Sequence, residues 1–209
     1  MSPIPIDLAV EDPLSEAVLR KILVRCGQPY AVGSVFSRGG NGYLRKTIRG
    51  WNRAARGKPF LLVTDLDSAA CPGALIKEWL SVPKHENFLF RVAVREIEAW
   101  LLADSLGLAN FLGVNPASVP KSPEDLPDPK RELVQLAGGS RRKQIRLDIV
   151  PRKGSTAQIG PGYNACLGEF VQSAWDVELA ARNAKSLERT LNRLSMFRPV
   201  WEAAQPTIE

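Results

Sequence analysis

Ile6, Leu8 and Val10 alternate with polar or small positions and predict a strand over residues 5–10. Leu14, Val18 and Ile22 then recur at helical spacing behind Pro13, which predicts a helix over 13–25. The alternation repeats: a strand at 30–36, a Gly-rich turn at 37–42 and a basic helical stretch at 43–56. Phe60-Leu61-Leu62-Val63-Thr64 is a continuous apolar run, the pattern of a strand buried on both faces, and it ends in Asp65-Leu66-Asp67. A helix at 72–80, a strand at 87–94 marked by Phe88, Phe90, Val92 and Val94, and a helix at 96–106 follow. Strands and helices in this order predict an α/β fold: a mainly parallel sheet flanked by helices, with its ligand site at the carboxyl ends of the strands.

Beyond residue 114 the character changes. Pro116, Pro120, Pro123, Pro127 and Pro129 mark an irregular link, followed by a short helix at 131–137 and a basic, Gly-containing segment. Leu187, Leu191 and Leu194 form a helical stripe after Ser186, a candidate N-cap. The expected organisation is an α/β core at 1–114 and, at 115–209, a link, basic segment and C-terminal helices packed on that core. A chain of 209 residues with 44% hydrophobic content can bury such a core. No apolar run approaches the roughly 20 residues that cross a bilayer, and Met-Ser-Pro-Ile-Pro is unlike a signal peptide. A cytoplasmic protein is expected. Trp51, Trp79, Trp100, Trp175 and Trp201 fall mostly on predicted helices, which assigns most of them to packing.

Three dispersed cysteines, Cys26, Cys71 and Cys166, fit neither a disulfide framework nor a cysteine-rich zinc site. The single histidine, His85, excludes mechanisms that need two. Any metal site must therefore use carboxylates. The net charge is +6, and residues 130–153 alone carry that excess: Lys130, Arg131, Arg141, Arg142, Lys143, Arg146, Arg152 and Lys153 against Glu132 and Asp148. Such a segment suits a polyanion such as nucleic acid, because neutralising phosphates releases counterions; a solvated basic loop is the alternative.

Acids stand where the predicted strands end: Glu11, then Asp65 and Asp67, then Glu96 and Glu98. In a parallel sheet these ends share one edge. Asp65 and Asp67, roughly 6.6 Å apart on an extended chain, can share a hydrated divalent ion. Oxygen donors suit Mg²⁺ or Mn²⁺. A turn or helix cap is the alternative for any one acid, Asp67 included. If residue 96 is already helical, Glu96 faces the site and Glu98 does not, since two helical positions differ by about 200°. Glu16 reaches the same edge only because Glu11 lies outside the helix.

At these residues the chain resembles the TOPRIM family. Val10-Glu11-Asp12-Pro13-Leu14-Ser15-Glu16 is similar to its first motif and Asp65-Leu66-Asp67 to its Asp-x-Asp motif. The likeness is greatest to small stand-alone bacterial TOPRIM proteins often encoded beside an ABC-type ATPase, and it extends to the overcoming-lysogenization-defect (OLD) nucleases. Those small proteins carry stretches similar to Arg95-Glu96-Ile97-Glu98-Ala99-Trp100-Leu101-Leu102-Ala103-Asp104, Val150-Pro151-Arg152-Lys153-Gly154-Ser155 and Gly160-Pro161-Gly162-Tyr163-Asn164. One departure is Asp12, where the family usually has glycine; it either adds a ligand or narrows the turn.

The resemblance implies that Glu11, Asp65 and Asp67 bind a catalytic Mg²⁺ or Mn²⁺, with Glu16, Glu96 and Glu98 available for a second ion. It implies a nuclease cleaving phosphodiester bonds in DNA or RNA, the effector of an ATPase-coupled anti-phage defence. Carboxylate-held metal supplies the activated water and charge neutralisation that such cleavage needs. Lys153, with Arg152, is the candidate cation at the scissile phosphate, while Arg141, Arg142, Lys143 and Arg146 would track the backbone. Tyr163 either stacks a base or anchors its loop. The Gly-rich turn at 37–42 is no Walker A loop, since no Gly-Lys-Ser/Thr follows, so ATP would have to come with a partner. Two other readings stand beside the nuclease: a non-catalytic TOPRIM-like module that binds nucleic acid or a partner protein, and a phosphotransfer receiver-like domain, disfavoured by length and by the lack of a late-strand lysine.

Overall fold

A computed structural model describes residues 2–201. Four parallel strands, β1 (Ile4–Ala9), β2 (Tyr30–Phe36), β3 (Phe60–Asp65) and β4 (Phe88–Ala93), lie in the order β2-β1-β3-β4. They alternate with α1 (Pro13–Arg25), α2 (Gly40–Ala54) and α3 (Pro72–Trp79). Helices α4 (Ile97–Leu102), α5 (Ser105–Leu112), α6 (Pro129–Gly138), α7 (Lys143–Ile149), α8 (Tyr163–Ser173), α9 (Val177–Asn183) and α10 (Lys185–Ser195) follow. The protein is a mixed α/β fold with a parallel sheet flanked by helices and a helical C-terminal extension.

Alternation along the strands divides the core. Ile6, Leu8, Leu61, Val63 and Leu89 face α1 and the C-terminal helices, whereas Phe60, Leu62, Phe88, Phe90 and Val92 face Leu44, Ile48 and Trp51 of α2 and Leu75 and Trp79 of α3. Every residue from Phe60 to Thr64 is buried, as a central strand covered on both faces requires. Trp100, Tyr163, Phe170 and Leu187 join Ile6 and Leu61 in one apolar cluster, so residues of the C-terminal half complete the same core. Each such large side chain contributes about 2 kcal/mol of burial free energy. Trp51, Trp79, Trp100 and Trp175 are buried and Trp201 is exposed.

The helix expected at 96–106 is two helices. Buried Asp104 interrupts it by accepting from Gly107 N at 3.0 Å, which starts α5, and from Asp176 N at 2.9 Å. Within the Pro-rich link two single turns, Pro116–Ser118 and Pro123–Asp125, are 3₁₀. Helix α6 begins earlier than expected, because Asp128 caps it through Arg131 N and Pro129 fits its first position. Among the described residues no helix is long and apolar enough to cross a membrane.

Candidate functional site

The carboxyl ends of β1, β3 and β4 meet in a cluster of acids. Glu11 leaves β1 and turns toward β3, where its Oε1 accepts from Asp65 N at 3.0 Å and from the Thr64 hydroxyl. Asp65, the last residue of β3, accepts from Ile97 N at 2.9 Å and so ties β3 to the first turn of α4. Asp67 is held by the backbone: its N donates to Arg95 O at 2.9 Å, and Arg95 Nη1 donates to Asp67 O at 3.2 Å. Both residues have left-handed backbones, φ 49° and 63°, and among the described residues they are the only non-glycines that do. Each such residue costs on the order of 1 kcal/mol or more, and this strain sits where the acids converge. Asn41, at the start of α2, donates to Asp67 Oδ2 at 3.2 Å, which brings the Gly-rich turn to the same edge.

Asp12 has a plain structural role. It caps α1 by accepting from Ser15 N at 2.8 Å, and its φ of −151° is ordinary extended backbone, so the turn needs no glycine there. Glu16 is engaged elsewhere, in an i,i+4 pair with Arg20 at 2.8 Å on α1.

Behind the strand-end acids lies a second group. Glu96 occupies the extended residue before α4 and accepts from Lys130 N at 2.8 Å; Glu98, in the first turn, is 1% exposed. Lys130 Nζ stands 3.6 Å from Glu98 Oε1 and 3.9 Å from Glu96 Oε1. Because residue 96 is extended rather than helical, the rotation expected between two helical positions does not apply, and Glu96 and Glu98 address one cation; the lysine enters from α6 and spans both. Buried Tyr163 donates its hydroxyl to Glu98 Oε1 at 2.9 Å, the anchoring role among the two expected for it. Gly160 and Gly162 permit this, because a Cβ on either would collide with Asp148 at the end of α7. Glu98 Oε2 and Arg95 Nε are buried without a hydrogen-bond partner.

The electrostatics follow from burial and crowding. Burial raises the Glu11 carboxyl against the opposing bonds from Thr64 and Asp65, and Asp67 and Asp12 add repulsion. Asp65 is raised well above the ordinary carboxylate range by burial, then by Glu98 and Glu11. Glu96 is raised by burial, and Glu98, mainly by burial, is pushed up to about 7. Lys130 loses hydration, which favours its neutral form, but Glu98, Glu96 and Asp65 outweigh this and hold it charged.

The basic segment is dispersed. Lys130 belongs to the acid cluster, whereas Arg152 and Lys153 are exposed on a cleft with Arg146, Asp148 and Pro151, and neither forms an ion pair among the described residues. Arg141 and Arg142 line another cleft beside Gly113 and Asn115, Arg146 donates to the Ser140 carbonyl, and Lys143 opens α7. Sequence reasoning missed Lys130 and Thr64 as site residues. Asp128-Pro129-Lys130 announces a helix start, but nothing local says where that start docks.

Among the described residues no three His, Cys, Asp or Glu side chains are gathered tightly enough to enclose a metal ion. The donor chemistry nonetheless suits a hard divalent cation. The donors are all oxygens, the second oxygens of Glu11 and Asp65 take no protein donor among the described residues, and Glu98 Oε2 is an orphaned buried acceptor. Comparisons of the chain with protein-family models, with curated proteins and with solved structures give no match.

Proposed function

We propose that this edge is the catalytic centre of a TOPRIM-type, Mg²⁺- or Mn²⁺-dependent nuclease acting on DNA or RNA, and that the protein works as the effector of an ATPase-coupled anti-phage defence. One observation carries the catalytic reading. Glu11, Asp65 and Asp67, from the ends of two parallel strands, converge beside Glu96, Glu98 and Lys130, and burial and mutual repulsion raise the Glu11 and Asp65 carboxyls. The ATPase partner and the defence role rest on the motif resemblance alone.

Glu11, Asp65 and Asp67 would hold the cation, with Glu96 and Glu98 offering further oxygens. The bound cation supplies an activated water and neutralises charge on the phosphoryl oxygens. Thr64 and the Asp65 amide fix the orientation of Glu11, and Ile97 N fixes that of Asp65. Tyr163 orients Glu98, whose carboxyl can hold or release a proton near neutrality. Lys130 balances the negative charge of α4 and keeps the acids close.

The test is cleavage of plasmid, linear duplex, single-stranded DNA and total tRNA with Mg²⁺, Mn²⁺ or EDTA, by wild type, Asp65→Ala and Asp67→Ala. Products that need the metal and vanish in both variants, with folding and nucleic-acid binding retained, are expected. Binding without cleavage under every condition, the ATPase partner included, would replace this reading with the non-catalytic module.

A further inference from the structure

The opposite end of the sheet carries the opposite charge. Helix α2 runs from Asn41, which touches Asp67 at the acid cluster, toward the amino ends of the strands. Its exposed side presents Arg45, Arg49 and Arg53 at successive i,i+4 positions, and Arg56 lies just past its end. At 1.5 Å per residue the series spans about 16 Å, with about 6 Å between successive arginines. That step is about two nucleotide rises of 3.4 Å.

The series ends in a cleft of about 680 Å³ whose lining includes Arg49, Arg53, Arg56, Lys84 and His85, with Glu86 as the one carboxylate among the described residues. The cleft is built. Buried Asn52 accepts from His85 N at 2.8 Å and donates to Pro83 O at 3.0 Å, which fixes the segment before β4 against α2. Arg49 donates to Ser81 Oγ at 2.5 Å and Lys84 Nζ to Phe88 O at 3.1 Å. Among the described residues none of Arg49, Arg53, Arg56 and Lys84 is in an ion pair, whereas Arg45 pairs with Glu78 at 2.7 Å between two exposed side chains. The positive field continues onto β4 and α10. Burial lowers the Lys84 and Arg91 pKa values, and Arg193 lowers both further. Among the described residues of the cleft Glu86 alone opposes this crowding, at Lys84, and cations so crowded repel one another unless an anion lies among them.

We propose that the α2 arginine stripe and this cleft form a second phosphate-binding surface that tracks the backbone of a nucleic acid from the acid edge to the amino end of the sheet. The inference deepens the nuclease reading and rests on it for the position of the substrate. Guanidinium groups suit phosphate because their planar forks can donate two parallel bonds, and a linear series of them suits a regular backbone. The surface is separate from the Arg141–Arg146 segment. Strand β4, six residues long, sets the two ends of the sheet about 20 Å apart, so engaging both takes about six nucleotides at 3.4 Å each.

The test is fluorescence anisotropy of labelled duplex and single-stranded DNA and of matching RNA, in EDTA, over a series of salt concentrations. The proteins are wild type, Arg49→Ala/Arg53→Ala/Arg56→Ala, Lys84→Ala and Asp65→Ala, each checked for folding by circular dichroism. On duplex DNA the triple variant should lower the slope of log K against log salt by about 2.7, three contacts at about 0.9 each. Lys84→Ala should lower it by about 0.9, and Asp65→Ala should bind at least as tightly as wild type. Wild-type affinity should fall for oligonucleotides shorter than about six nucleotides. The nucleic acid whose slope changes most names the source of the phosphates. A triple variant with wild-type affinity and slope on every probe overturns the proposal. That result alongside Asp65-dependent cleavage would remove this surface and leave the catalytic edge standing; lost binding in a protein that never cleaves would do the reverse.

Discussion

The two ends of the sheet concentrate charge by different means. At the carboxyl end Glu11, Asp65, Glu96 and Glu98 are buried or half-buried, and each accepts from a backbone amide or a hydroxyl, with Lys130 as the balancing cation. At the amino end Arg49, Arg53 and Arg56 are exposed and, among the described residues, in no ion pair, so water and salt hold their repulsion down, while Lys84 beside them is partly desolvated. Burial makes the acid end sensitive to protons and to small cations, since either relieves desolvated carboxylates. Exposure makes the basic end sensitive to ionic strength. A titration in pH and a titration in salt therefore report on opposite ends of one molecule.

The contrast breaks most sharply at Lys130. Replacing it with Met leaves Glu98 and Glu96 facing Asp65 with no cation between them, and this should cost about 3 kcal/mol in urea unfolding at pH 8, the low end for stripping one partner from a buried pair because the lysine keeps 30% of its side chain exposed. A loss below about 1 kcal/mol, the value of an exposed pair, would mean that Lys130 is not what holds the acids together.

Glu98 sharpens it. Its carboxyl titrates at about 7 in the folded chain against 4.5 ordinarily, so between those values the native state keeps a proton that the unfolded state has lost. Its contribution to stability is then complete below pH 4.5 and declines as pH rises through 7. Glu98→Gln removes the decline and should be about 3 kcal/mol more stable than wild type at pH 8 in EDTA, with no difference near pH 4. Parallel stability curves for the two proteins across that range would show that folding does not raise the Glu98 carboxyl. The smallest effect is expected at Asp12, where Asp12→Ala should cost about 1 kcal/mol through the lost cap of α1 and leave cleavage intact. Cleavage lost at unchanged stability would make Asp12 a ligand instead.

Much of the scaffold was legible because it is locally encoded. The α1 and β2 boundaries match their patterns, with Pro13 opening a helix that buries Leu14, Val18 and Ile22 and Tyr30–Phe36 beginning after the Gly27 turn. The split between α4 and α5 was not legible, because Asp104 acts through a helix cap and through Asp176, 72 residues away. That Glu11, Asp65 and Asp67 lie at one edge could be read from position alone, since strand ends in a parallel sheet share an edge. Glu16 belonged to the same motif and is instead paired with Arg20.

Charge was the least legible property. The run from Lys130 to Lys153 reads as one basic patch along the chain, yet helices α6 and α7 direct its members to different places. The arginines of α2, spread over a helix, form a single stripe. The sequence by itself determined which residues are apolar at period two and at period 3.6, and hence the strands, the first helices and the parallel sheet, because those periods are properties of local backbone geometry. Only the tertiary structure decided that Lys130 and Tyr163 meet Glu98, and that acids gather at one end of the sheet and arginines at the other. These contacts join residues 32 to 65 positions apart, and such pairings depend on how packed helices are placed rather than on any pattern a short window of chain can hold.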